Sequence, residues 1–197
     1  ADLEALPASL DRSPFAARIL EAAVAPEHGE ALWARLQQPP RPDFRNLGAA
    51  PPPEGLEPEV GLPEVLKLAP GVPFPLAWLQ SGAGMVQDRS SQALMGFRWE
   101  APVQRMADLC AAPGGKATLM ARRWPEAKLV ALEHHAGRAE RLKANLSQRG
   151  VTAEVQVADA GAWLAGGGRG FDVILLDAPC SGTGTLQKHP ELAWIGA

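Results

Sequence analysis

The 197-residue chain holds only two cysteines, Cys110 and Cys180. Two thiols build neither a disulfide framework nor a four-ligand zinc site, so no metal centre is expected. Sparse cysteine also points to a reducing, cytoplasmic setting. No apolar run approaches the roughly 20 residues needed to cross a bilayer, and Ala1-Asp2-Leu3-Glu4 opens no signal-peptide pattern. A strong charge of one sign is missing too. The net charge of −3 excludes a molecule that is basic all over. Residues 1–100 lean acidic and 101–197 lean basic, so a polyanion would meet the second half more readily. No internal repeat is visible. What the chain does have is 46% hydrophobic residues, enough to bury a core.

The stretch that organises the rest is Ala107-Asp108-Leu109-Cys110-Ala111-Ala112-Pro113-Gly114-Gly115-Lys116. A short apolar run, Met106 to Leu109, enters a loop of small residues, and a helical segment from Ala117 to Trp124 follows at once. Strand, Gly-rich turn and helix N-terminus together make a place where backbone N–H groups face a ligand. Gly114 and Gly115 carry no Cβ, which permits close approach to the main chain.

Upstream, Ser13-Pro14 predicts an N-cap with proline at the first helical position, and a helix over 15–25. A second helix is expected over 28–38, ended by Pro39-Pro40. Proline crowds 51–75, which predicts a strap with at most short extended pieces such as Glu64 to Leu68. Arg41 and Arg45 are candidates for phosphate contact. Asp88 predicts the N-cap of a further helix, with Ala93, Leu94 and Phe97 as its apolar face. The expected division is a helical, Pro-rich extension over 1–80, available for binding a phosphate-bearing substrate, and a second domain over 81–197.

From Met106 onward strands and helices alternate. Strands are expected at 106–110, 128–132, 151–157 and 171–176, with helices at 117–123 and 137–149, the last closed by Gly150. Val173-Ile174-Leu175-Leu176 is continuously apolar, as in a parallel strand covered on both faces. Alternating units of this kind predict an α/β fold with a doubly wound parallel sheet.

Each strand ends in something polar: the Cys110–Lys116 loop, Glu133, Asp159, and Asp177-Ala178-Pro179-Cys180. Ligands of such sheets bind at the carboxyl ends of the strands. Glu133 follows Gly115 by 18 residues, close to the spacing at which an acid takes a ribose diol. The pattern predicts a nucleoside-containing cofactor and by itself leaves a nicotinamide and S-adenosylmethionine both open. The missing G-x-G-x-x-G order disfavours the nicotinamide.

Asp108 to Lys116, taken with Asp177-Ala178-Pro179-Cys180-Ser181-Gly182-Thr183-Gly184, resembles the S-adenosylmethionine-dependent RNA (cytosine-5)-methyltransferases, in particular the Sun/Fmu-type bacterial ribosomal RNA enzymes. Gln87-Asp88, Ser90-Ser91-Gln92 and His189-Pro190 fit the same family. The resemblance is clear from about Gly84 to Trp194 and faint over Phe15 to Asn46. It implies a Rossmann-like class I methyltransferase domain, with its first four strands present here, and RNA as the partner, ribosomal RNA foremost. It implies that Cys110, Ala111, Ala112, Pro113, Gly114, Gly115 and Lys116 wrap the methionine end of S-adenosylmethionine. Glu133, where the family usually has Asp, would hold the ribose hydroxyls, Asp159 would sit by the adenine, and Asp177 would face the methyl donor and the target base.

The chemistry accounts for these residue types. Carbon 5 of cytosine is a poor nucleophile until a thiolate adds to carbon 6. An acid near N3, the role implied for Asp177, stabilises that adduct. The resemblance makes Cys180 the cysteine that resolves the adduct and places the nucleophile in a later Thr-Cys-Ser segment. No such segment occurs up to Ala197, so the chain reads as truncated and inactive alone. The alternatives are a non-catalytic scaffold binding S-adenosylmethionine or RNA, and an amino-group methyltransferase. The second would carry an Asn/Asp-Pro-Pro-Tyr segment where Asp177-Ala178-Pro179-Cys180 stands.

Overall fold

The computed structural model describes residues 38, 41–180 and 188. The helices expected before residue 38 and the His189-Pro190 pair lie outside the described residues. Residues 42–178 form one compact unit, while Pro179 and Cys180 fall in a second.

The unit opens with a four-stranded antiparallel sheet. It comprises β1 (Asp43–Asn46), β2 (Leu56–Glu59), β3 (Leu62–Leu68) and β4 (Gly84–Val86), in the order β2-β3-β1-β4. The Pro-rich strap expected over 51–75 therefore carries two of the four strands, β2 and β3, the second containing the extended piece expected at Glu64 to Leu68. Most of these prolines are placed where they cost least, and Pro63 is confined to the second position of β3. Pro58 lies on the edge strand, beside a register shift at Pro58/Glu59, and Pro51, Pro70 and Pro73 lie between strands. Phe44, Leu56 and Leu66 form the small core of this sheet. A short helix, α1 (Leu76–Gln80), lays Trp78 against Gly84 of β4, where a Cβ would sit 2.2 Å from the ring. The expected boundary at 80/81 thus cuts a single sheet between α1 and β4.

Asp43 is the hub of this sheet. It is buried and accepts from Lys67 Nζ and from the Arg89 backbone N–H at 2.9 Å. Arg89 opens α2 (Arg89–Ala93), which Asp88 caps through Ser90 N at 2.9 Å, as the sequence predicts. The apolar face expected for α2 is absent: Leu94 and Phe97 are exposed, and the buried residue is Gln92. Its amide donates to the carbonyls of Phe44 and Gln87, so a polar side chain fills the position by satisfying two backbone acceptors.

The second sheet is parallel: β5 (Arg105–Asp108), β6 (Lys128–Glu133), β7 (Glu154–Val157) and β8 (Val173–Leu175), in the order β7-β6-β5-β8. Its helices are α3 (Gly115–Arg123), α4 (Ala136–Gln148) and α5 (Ala160–Ala165). Met106, Leu119, Met120, Leu129, Leu142 and Leu146 pack its main core. The sequence reading missed α5, a six-residue helix that Asp159 caps through Ala162 N at 2.8 Å. Its expectation for β8 also needs correcting. β8 is the sheet's edge among the described residues, and Ile174 is 48% exposed, so this strand is covered on one face rather than two. Among the described residues no helix is long and apolar enough to cross a membrane.

Candidate cofactor site

The parallel sheet reverses its winding between β5 and β8, and crevices open at the carboxyl ends of strands at such a point. β5 delivers Asp108 to that rim, and β8 is followed two residues later by Asp177. The Lys116 ammonium closes the gap, 2.7 Å from Asp177 Oδ2.

The loop between β5 and α3 is held by its carbonyls. Ala112 O accepts from Arg138 Nη2 at 3.3 Å, and Pro113 O accepts from Asn145 Nδ2 at 2.7 Å. Gly114 O accepts from the buried Thr118 hydroxyl at 2.7 Å. The Ala112–Pro113 bond is cis, and Gly114 caps α3 with a φ of 104°. Three consecutive acceptors are thus consumed inside the fold, and the N–H donors of the first turn of α3 remain. A Cβ on Gly114 would sit 3.1 Å from Leu142, and one on Gly115 would sit 3.1 Å from the Gln87 amide. Gly115, the first residue of α3, is therefore flanked by Gln87, which follows β4.

Carboxylates converge here. Asp108 is buried; its Oδ1 accepts from Cys110 N at 3.3 Å, and its Oδ2 has no partner. Burial pushes the Asp108 carboxyl up to about 6, against the opposing pull of the Cys110 N–H and Lys116. Glu133 is also buried. Its Oε1 accepts from His135 N at 2.9 Å, and its Oε2 lies 3.5 Å from Arg138. Burial raises the Cys110 thiol, and Asp108, Glu133 and Asp177 raise it further, with Arg138 the opposing cation. Cys110 is accordingly a poor thiolate and a poor nucleophile in this setting. Asp159 follows β7 at the same rim, next to Ala158, whose N–H bonds to Glu133 O at 3.2 Å. One of its oxygens is spent on capping α5. Cys180 is exposed and falls in the other compact unit.

Cys110, the 111–116 turn, Glu133, Asp159 and Asp177 therefore share the rim where the strands end. Three residues the sequence reading gave no role join them. Arg138 bridges the loop to Glu133, Asn145 holds Pro113, and Asp108 is the buried acid with an unused oxygen. Among the described residues no His, Cys, Asp and Glu cluster could hold a metal ion.

A parallel sheet in this order, with a glycine turn after its central strand and acids at the following strand ends, has the Rossmann-like fold of the class I methyltransferases, a class whose cofactor is S-adenosylmethionine. Residues 100–196 match the family described as 16S rRNA methyltransferase RsmB/F. The chain is 39% identical over 137 residues to ribosomal RNA small subunit methyltransferase B of Klebsiella pneumoniae, spanning 68% of this chain and 31% of that relative. The chain thus spans about a third of the length of the curated relative it matches. Two solved structures share the fold. A methyltransferase homolog protein from Pyrococcus horikoshii superposes with a TM-score of 0.68 at 22% identity, over 88% of this chain and 66% of its own. NSun6 from Pyrococcus horikoshii, solved with SFG, gives 0.71 at 17% identity, over 91% and 72%.

Proposed function

We propose that the chain is the cofactor-binding portion of an enzyme that transfers a methyl group from S-adenosylmethionine to carbon 5 of a cytosine in RNA, with ribosomal RNA as the substrate class. The observation that carries this is the joining of the pinned 112–114 turn to Asp108, Lys116, Glu133 and Asp177 at the switch between β5 and β8.

The residues fit such a ligand. Asp108 Oδ2 is a buried acceptor with nothing on it, matched to an ammonium or N–H donor. Glu133 is a carboxylate fixed by His135 N, matched to vicinal hydroxyls. The first turn of α3 offers donors to a carboxylate. Bound there, S-adenosylmethionine supplies an electrophilic methyl on a sulfonium. Asp177 orients the base through its carboxyl and is itself oriented by Lys116, which can also hold or return a proton at that oxygen. Cys180 acts after methyl transfer, in expelling the enzyme from the base, while Cys110 serves the cofactor loop. Neither cysteine stands in a Thr-Cys-Ser segment, so residues 1–197 alone are expected to bind cofactor without turnover.

Calorimetry tests the reading. Purified 1–197 should bind S-adenosylmethionine with one site, Glu133→Ala should weaken it about tenfold or more, and NAD should give no heat. Binding of NAD in preference to S-adenosylmethionine would overturn the proposal. Methyl transfer to ribosomal RNA by 1–197, abolished by Cys180→Ala, would overturn the role given to Cys180.

A further inference from the structure

The opposite rim of the parallel sheet, where the strands begin, carries an aromatic and cationic surface that the cofactor site does not use. β5 starts at Arg105 and β6 at Lys128, and α3 ends at Arg123, so segments 97–104 and 122–128 meet there. Phe97 and Trp99 stand edge to face with centroids 5.9 Å apart, and Trp124 lies 6.3 Å from Phe97. The Arg123 guanidinium sits 4.8 Å from the Phe97 ring and 5.0 Å from the Trp124 ring. Phe97 and Trp99 are 37% and 40% exposed. Rings of this size are seldom left open when a core lies beside them. On either side of Arg123 and Trp124 in the chain, Arg122, Pro125 and Lys128 line an open groove of about 710 Å³, with Glu154 as its acid. Arg122 reaches across it to the Arg149 carbonyl at 3.2 Å.

We propose that this rim is a second RNA-binding surface, on which a single-stranded segment flanking the target stacks its bases against Phe97 and Trp99 and lays its phosphates along the Arg122–Lys128 groove. The charge argues for a polyanion. The protein is net acidic, yet this groove is lined by the exposed Arg122 and Lys128 against one carboxylate, Glu154. The rings argue for unpaired bases, because stacking on aromatic side chains needs a base free of its helix. A protein partner would use the rings but has no need of the groove's cations. The inference rests on the RNA substrate proposed above and adds a place for the flanking strand, away from the methyl donor.

The test uses 1–197 and a fluorescein-labelled, unstructured dodecaribonucleotide of mixed sequence, read by anisotropy over a salt series. Trp99→Ala should weaken binding about five- to tenfold, and Trp99→Phe should restore most of it. Lys128→Gln should reduce the salt slope by about one. Both sites lie on the surface, and a near-native circular dichroism melt establishes that each variant is folded. A duplex of the same sequence should bind more weakly than the single strand. Unchanged affinity in Trp99→Ala, or no RNA binding by the parent chain, overturns the surface. Self-association of the parent in sedimentation that Trp99→Ala abolishes, with RNA affinity intact, overturns it in favour of a protein-docking face. S-adenosylmethionine affinity, measured by calorimetry on the same samples, separates the two readings. It fails only if the cofactor proposal fails, and it should be the same in parent and Trp99→Ala.

Discussion

Lys116 Nζ stands 2.7 Å from Asp177 Oδ2, joining the helix that follows β5 to the segment that follows β8. The pair spans the crevice between two strands that are neighbours in the sheet but lie far apart in sequence. Its exposure decides what it is for. Asp177 is 54% exposed, and open pairs of this kind contribute no more than about 1 kcal/mol. Lys116→Met should therefore leave the urea midpoint almost unmoved. It should weaken S-adenosylmethionine binding about tenfold, equivalent to about 1.4 kcal/mol. Calorimetry beside urea denaturation checks this, and a large loss of stability with unchanged affinity would make the pair a structural clasp instead.

Asp108 predicts an unusual pH dependence. Its folded value of about 6 lies above its ordinary 3.8, so between those values the folded protein binds more protons than the unfolded chain. Stability due to this group is present below pH 4 and falls as pH rises through the window, by about 3 kcal/mol in all. Asp108→Asn removes the slope. Between pH 4.5 and 7.5 the parent should lose about 2 kcal/mol more than the variant by urea denaturation. Parallel curves for the two proteins would show that Asp108 is not the buried acid responsible.

Asp43 has the opposite sign. Burial alone would raise its carboxyl, but the hydrogen bonds from Lys67 and Arg89 outweigh it and hold the group below its usual value. Its contribution is present above pH 4 and lost as pH falls through the folded value. Asp43→Asn should cost about 2–4 kcal/mol at pH 7, since two cations lose their buried partner. The gap between parent and variant should narrow below pH 4. A gap that stays constant on acidification would place the cost in packing rather than in charge.

Gly114→Ala combines two penalties, a φ of 104° and a Cβ 3.1 Å from Leu142. The strain should cost about 1–3 kcal/mol and should also weaken cofactor binding, because the turn it distorts carries the donors of α3. Asn145→Ala leaves φ alone and removes only the bond to Pro113 O, so it should reduce affinity with a smaller effect on melting. Equal melting losses in the two variants would contradict this.

The parallel sheet was legible because its signals are local. Val173 to Leu176 is a run of apolar residues, Gly150 closes α4, and Glu133 and Asp159 stand where their strands stop. The small sheet was legible only in the extended piece at Glu64 to Leu68, because its strands pair across long separations. Leu56 meets Leu68, and Phe44 meets Leu66 and Val86, and nothing near 51–75 announces those partners through so many prolines. Gln92 shows the same limit: a polar residue reads as surface until the two carbonyls it satisfies are in place. At the site, the motif residues could be found by spacing, whereas Arg138 and Asn145 could not. Their role comes from the face that α4 turns toward the loop, which no pattern in Ala136–Gln148 encodes.

The hold of α3 and α4 on three successive loop carbonyls has a kinetic consequence. A turn already fixed in its receiving shape has little conformational entropy left to surrender when a ligand arrives. Association should then run near the encounter rate for a small molecule, and changes that loosen α4 should act on residence time and capture alike.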